Sequence, residues 1–142
     1  MTVGLKRVYA APSPKDGTRV LVDRLWPRGL TKEAAALDAW LKDLAPSDEL
    51  RKWFHARPQQ WIKFREKYLQ ELRGETAHQA LEQLYDMRNK RRHLTLLFAS
   101  KNEEHNNALV LKQLLEGDRK PPTGTGPVRA AAGKRARAAR RR

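Results

Sequence analysis

The chain of 142 residues contains no cysteine. Disulfides, thiolate zinc sites and thiol nucleophiles are thereby excluded. No apolar run approaches the roughly 20 residues that a membrane-spanning helix needs. The opening MTVGLKRVY holds no apolar signal-peptide core. The expectation is a protein without a membrane partner, in a reducing cytoplasm. GxGxxG, the P-loop, GxSxG and HEXXH are all absent, and His55, His78, His93 and His105 are too scattered for a ligand motif. No metal and no cofactor is expected.

Acidic residues are scarce, 16 against 30 Lys and Arg, for a formal net charge of +14. That favours polyanion partners, but the charge is unevenly spread. From residue 118 onward, DRKPPTGTGPVRAAAGKRARAARRR has nine bases, one acid and no aromatic residue. Such a segment buries too little apolar surface to offset its ordering entropy. The expected organisation is a folded domain over residues 1–117 and a disordered basic tail over 118–142. Lys134, Arg135, Arg137, Arg140, Arg141 and Arg142 are its expected contacts to nucleic acid.

Within the body, strands are expected over Leu5–Ala10, Arg19–Val22 and Leu94–Ala99. The last, LTLLFA, is apolar on both faces, the mark of an interior strand covered on both sides. Helices are expected over Leu30–Ala45, capped by Thr31, over DELRKWFHA after Ser47, from Pro58 to Arg73, and over Glu75–Asn89. A final helix follows a Ser100–Glu103 capping box and stops at Gly117. Strands separated by helices predict an α/β domain with a small, mostly parallel sheet of about three strands. Ligands of such sheets sit outside the carboxyl ends of the strands, which draws attention to Asp23 onward and Ser100 onward.

Three groups of residues break the local pattern. Arg65 lies near the centre of the apolar stripe formed by Trp61, Phe64, Tyr68 and Leu72. A charge there either pairs with a buried carboxylate such as Asp23 or reaches a pocket to grip phosphate or carboxylate. Asp23, Arg24, Trp26, Pro27, Arg28 and Gly29 end the second strand with a stiff loop presenting a ring between two cations. It reads either as a base-and-phosphate platform or as a salt bridge and a lid on the core. His105, with Asn106 and Asn107, is expected in the first turn of the last helix, as a proton-transfer group or a hydrogen-bonding support. His55 lies near a helix C-terminus, which favours its charged form.

KRVY, DG-x-RVLVDRLWPRG, LDAWLKDLAPSDELRKWFH, FREKYLQEL and LTLLFASKNEEHNNALVL, in that order, resemble the YeaO-like family of the domain-of-unknown-function 488 group. The resemblance runs from about Lys6 to Leu115. It implies a compact α/β domain and maps the family's motif positions onto Arg7, Tyr9, Asp23, Arg24, Trp26, Pro27, Arg28, Gly29, His55, Phe64, Arg65, Tyr68, Ser100, His105 and Asn106. Related branches carry a Cys-His-Arg type motif where this chain has EHNNA, so no thiol chemistry transfers. The resemblance brings no reaction with it.

The leading expectation is a domain that binds an anionic, nucleotide-like or nucleic-acid-like ligand in a pocket at the carboxyl edge of its sheet. Arg7, Tyr9, Asp23, Arg24, Trp26, Arg28, Gly29, Arg65, Tyr68, Ser100, His105 and Asn106 are the candidate ligand-binding residues. If there is catalysis, Asp23, His55 or His105 would handle protons. The alternatives are a non-catalytic nucleic-acid-binding accessory acting through the tail, and a protein-interaction domain.

Overall fold

The structure, a computed structural model, describes residues 2–90 and 93–117. The described residues fall into two units, divided between Lys112 and Gln113. The expected basic tail lies outside the described residues. Within the second unit, the described part is the last turn of a helix, closed by Gly117 N–H donating to the Gln113 carbonyl.

The strands are β1 (Thr2–Arg7), β2 (Thr18–Leu21), β3 (Ala39–Trp40) and β4 (His93–Phe98). They form one sheet in the order β1-β4-β2-β3. Every neighbouring pair is parallel. The helices are α1 (Lys32–Ala35), α2 (Asp48–Ala56), α3 (Trp61–Glu71), α4 (Glu75–Lys90) and α5 (Asn107–Glu116). β4 is central, and Leu94, Leu96, Leu97 and Phe98 are all buried, as an interior strand requires. On one face Val8, Leu21 and Leu97 form a cluster on which Trp26, Leu30, Leu37 and Trp40 pack.

The sheet has four strands rather than about three, and the fourth comes from a segment expected to be helical. The Leu30–Ala45 helix does not form. Thr31 caps α1 as expected, through its hydroxyl to Ala34 N–H, but the helix ends after one turn with Ala36 left-handed at φ 49° and ψ 52°. Three bonds to β2 then draw the chain into an edge strand. Asp38 accepts from and donates to the Arg19 backbone at 2.8 Å each, and Leu41 N–H donates to the Leu21 carbonyl at 2.9 Å. Leu37 and Trp40 still reach the core, though not as a helical stripe.

Smaller corrections have local causes. β1 begins earlier than expected, and Val8 N–H extends its ladder by bonding Phe98 O at 2.8 Å. α3 starts at Trp61, not Pro58, because a turn closed by Gln60 N–H to Arg57 O at 2.9 Å precedes it. Ser47 caps α2 as expected, its hydroxyl accepting from Leu50 N–H at 3.1 Å. Ser100 and Glu103 make no capping box. Ser100 and Asn102 fold the loop onto itself, and Asn106 caps α5 instead, its side-chain oxygen accepting from Leu109 N–H at 2.9 Å.

The amino-terminal half of the sheet carries a buried ionic cluster. Asp16 and Arg19 are 7% and 4% exposed. Asp16 accepts from Arg19 Nη1 at 2.5 Å and from Lys6 Nζ at 3.0 Å. Arg19 spends its remaining donors on the end of α1, bonding the Ala35 and Ala36 carbonyls at 2.7–3.2 Å. Here a strand side chain satisfies the orphan carbonyls of a helix terminus.

Candidate functional site at the carboxyl edge of the sheet

β2 and β4 stop side by side, with Val22 N–H bonding Leu97 O at 3.1 Å. The next residue, Asp23, ties the two strand ends to α5. Its Oδ2 accepts from Ala99 N–H at 2.8 Å and its Oδ1 from Asn107 Nδ2 at 3.3 Å. Asn107 Nδ2 also donates to Val22 O at 3.0 Å, and Trp40 Nε1 donates to the Asp23 carbonyl at 2.7 Å. Burial pushes the Asp23 carboxyl above its ordinary range, against the pull of the Ala99 N–H, the Asn107 amide and the Arg51 charge.

Tyr68 lies beneath, fully buried, its hydroxyl donating to Leu44 O. Burial drives the phenol well above 10.0, reinforced by the negative charges of Asp23 and Glu71. A hydrogen bond with Asn107 and the Arg24 charge oppose the rise. Asn107 therefore links Asp23 with Tyr68. In the sequence, Asn107 stands out only as a neighbour of His105. An asparagine just inside a helix start, after a capping asparagine, was the available signal.

The loop beyond Asp23 is held from several sides. Trp26 Nε1 donates to Leu30 O at 2.6 Å, and its ring meets Trp40 edge-on with centroids 5.4 Å apart. Trp26 is thus a lid on the Val8–Leu21–Leu97 cluster. Gly29 turns the chain at φ 77°. Tyr9 hydroxyl donates to the Arg28 carbonyl at 3.0 Å. Arg7 bonds the Ser100 and Ala99 carbonyls, each at 3.0 Å, and its guanidinium lies 5.2 Å from the Tyr9 ring centre. Arg24 reaches the Ala45 carbonyl at 3.3 Å. The exposed Arg28 guanidinium has no partner among the described residues.

His105 precedes α5 rather than sitting in its first turn. Its ring stacks on Trp61, with centroids 4.6 Å apart and planes 8° apart. Arg65 is half-buried one turn beyond Trp61 on α3, so it shares the face that carries His105. The Asp23 oxygens, one expected destination for Arg65, are held by Ala99 and Asn107. His55 is exposed in the last turn of α2 and meets no hydrogen-bonding partner among the described residues. Asp23, Arg7, Tyr9, Arg28 and Ser100 are brought together with the loop ends. His55 is not tied to them by any such contact.

Beside the edge strand, Trp26, Lys32, Leu37, Asp38, Ala39 and Trp40 line an open groove of about 230 Å³, smaller than a usual small-molecule pocket. Among the described residues no group of three His, Asp or Glu side chains is arranged to hold a metal ion, and no helix is long and apolar enough to cross a membrane.

A parallel α/β sheet whose carboxyl edge is closed by Asp23, Asn107 and the WPRG loop defines the class. Residues 2–126 match the family described as the inactive DUF488-N3 subclade, and the chain belongs to that family. It is 47% identical over 115 residues to "Uncharacterized protein YeaO" of Escherichia coli K12, covering 81% of this chain and 97% of that one. It is 40% identical over 115 residues to "Uncharacterized protein Rv3073c" of Mycobacterium tuberculosis H37Rv, covering 81% and 94%. No solved structure matches the chain.

Proposed function

We propose that this YeaO-like domain is a non-catalytic binding module that takes an anionic, nucleotide-like ligand at the carboxyl edge of its sheet, in the cytoplasm. The observation that carries this reading is Arg28. Its backbone is held by Tyr9, its loop is stiffened by Pro27 and by the Trp26–Leu30 bond, and its guanidinium is exposed and unpartnered among the described residues. A cation pre-set in this way loses little freedom on meeting phosphate or carboxylate. Arg24 adds a second exposed cation. Of the groups suited to proton transfer, Asp23 and Tyr68 hold the chain ends and His105 is stacked, while His55 is exposed and tied to none of the loop residues by a hydrogen bond among the described residues. The word "inactive" in the family description agrees with binding in place of catalysis.

The test is calorimetric titration with phosphate, pyrophosphate and a nucleotide panel. One member should bind, and Arg24→Gln/Arg28→Gln should weaken it at least about tenfold, the effect of losing charge-assisted hydrogen bonds. If no member binds, or the double variant binds equally well, the reading fails. A second reading, non-specific nucleic-acid binding through Lys134, Arg135, Arg137, Arg140, Arg141 and Arg142, rests on the excess of bases beyond residue 117.

A further inference from the structure

The α2–α3 hairpin carries a second basic surface, away from the loop just described in sequence and in partners. Over residues 48–73 there are seven Lys or Arg against four Asp or Glu. Two of those acids are already occupied. Asp48 is paired with Arg51 and Lys52, and Glu71 receives the Ser47 N–H and hydroxyl. Glu49 and Glu66 remain as exposed acids.

At the centre of this surface is Trp53, half-buried on α2. Two cations from different elements converge on its ring: Arg57, one turn further along α2, at 5.4 Å, and Lys67 of α3 at 5.2 Å. Arg57 also donates to the Trp53 carbonyl at 3.4 Å. Neither cation, nor Lys63 one turn before Lys67, is paired with a carboxylate among the described residues. Long exposed cations usually sample many rotamers. Here the indole gathers two of them over one ring, without neutralising either.

We propose that the Trp53–Arg57–Lys67 surface binds the backbone of single-stranded nucleic acid, with Arg57 and Lys67 on phosphates and Trp53 as the ring beside which a base settles. Aromatic side chains interleaved with unneutralised cations are the chemistry that recognises single strands without regard to sequence. An acidic peptide would satisfy the cations but would leave the ring without a partner of its own kind. The proposal is independent of the carboxyl-edge reading, since it uses none of the same residues.

The experiment uses the full chain and a fluorescent oligothymidylate of about 15 nucleotides, long enough for one such site. Binding is followed by anisotropy across a salt series. Arg57→Gln/Lys67→Gln should raise Kd roughly tenfold and make the slope of log K against log salt shallower by about 1.4, the value for two lost phosphate contacts on a single strand. Lys15→Gln/Lys32→Gln removes the same charge from exposed positions elsewhere and should change both far less. Any contribution from the basic tail is common to both variants. In a second measurement, a bromouracil-substituted strand should photo-cross-link to Trp53. Equal losses in the two double variants, or cross-links confined to residues beyond 117, would overturn the proposal.

Discussion

The imidazole of His105 lies flat on the indole of Trp61, with ring centres 4.6 Å apart. It ends a run of rings in which Tyr68 meets Phe64 at 5.8 Å and Phe64 meets Trp61 at 5.7 Å. The run begins under the strand ends and finishes on the loop before α5, so it fastens that loop to α3. His105→Ala should cost about 1 kcal/mol beyond the lost burial, the usual worth of an aromatic pair. His105→Phe should keep most of it. Urea unfolding of both variants checks this; equal destabilisation would mean that stacking is not what His105 contributes.

Asp23 makes stability fall as pH rises. Its folded-state pKa lies above the ordinary 3.8 because burial disfavours the carboxylate. The folded chain therefore holds this proton more tightly than the unfolded chain does. The favourable contribution is complete below 3.8 and is lost as pH rises through the folded value. Taking wild type minus Asp23→Asn cancels the other titrating groups. That difference should decline with rising pH through the acid range and then level off. A difference that grows with pH would contradict the assignment.

Asp16 has the opposite sign. Burial raises its pKa, but the Lys6 ammonium, the Ser13 N–H and the Arg19 guanidinium together outweigh it and hold the carboxyl below 3.8. Its contribution is present above 3.8 and is lost as pH falls through the folded value. The stability gap between wild type and Asp16→Asn should therefore narrow as pH falls below 3.8. Arg19→Met should cost about 3–5 kcal/mol at neutral pH, because it breaks a buried pair from one side. It also leaves the Ala35 and Ala36 carbonyls without this donor.

Two glycines with similar φ should respond differently to alanine. Gly17 has φ 66°, and a Cβ there would collide with the His93 carbonyl oxygen. Backbone would have to move, so Gly17→Ala should cost about 3 kcal/mol or more, strain and clash together. Gly29 has φ 77°, and a methyl group there would meet nothing within 4 Å. Gly29→Ala should cost only about 1–2 kcal/mol, the left-handed penalty alone. Thermal melts of the two variants, side by side, read the contrast.

How much of this is legible in the sequence depends on where each residue finds its partner. β4 is legible because Leu94, Leu96, Leu97 and Phe98 put apolar side chains on both of its faces. The caps at Thr31 and Ser47 are legible because a cap acts within one turn. The family motifs and the strand ending at Asp23 are legible for the same local reason. The Leu30–Ala45 segment misleads because its apolar spacing suits a helix, while the bonds that decide its path come from Arg19 and Leu21, many residues away. Nothing local marks Asp16 and Arg19 as a buried pair; they become one when the sheet folds over them. At the candidate site, Asp23 and the WPRG loop stand out in the chain. The role of Asn107 does not, since it depends on α5 arriving beside β2.

The shortness of β3 bears on how the protein behaves in a crowd. A sheet margin is a template on which another chain can add itself, strand upon strand, toward aggregation. On the β3 side the template is two residues long, Ala39 and Trp40, bounded by a left-handed turn at Ala36 and a 3₁₀ turn at Lys42–Leu44. Lys42 stands over the Trp40 ring at 5.0 Å. An incoming strand would find two rungs and then a positive charge, so this margin is a poor template for adding another chain.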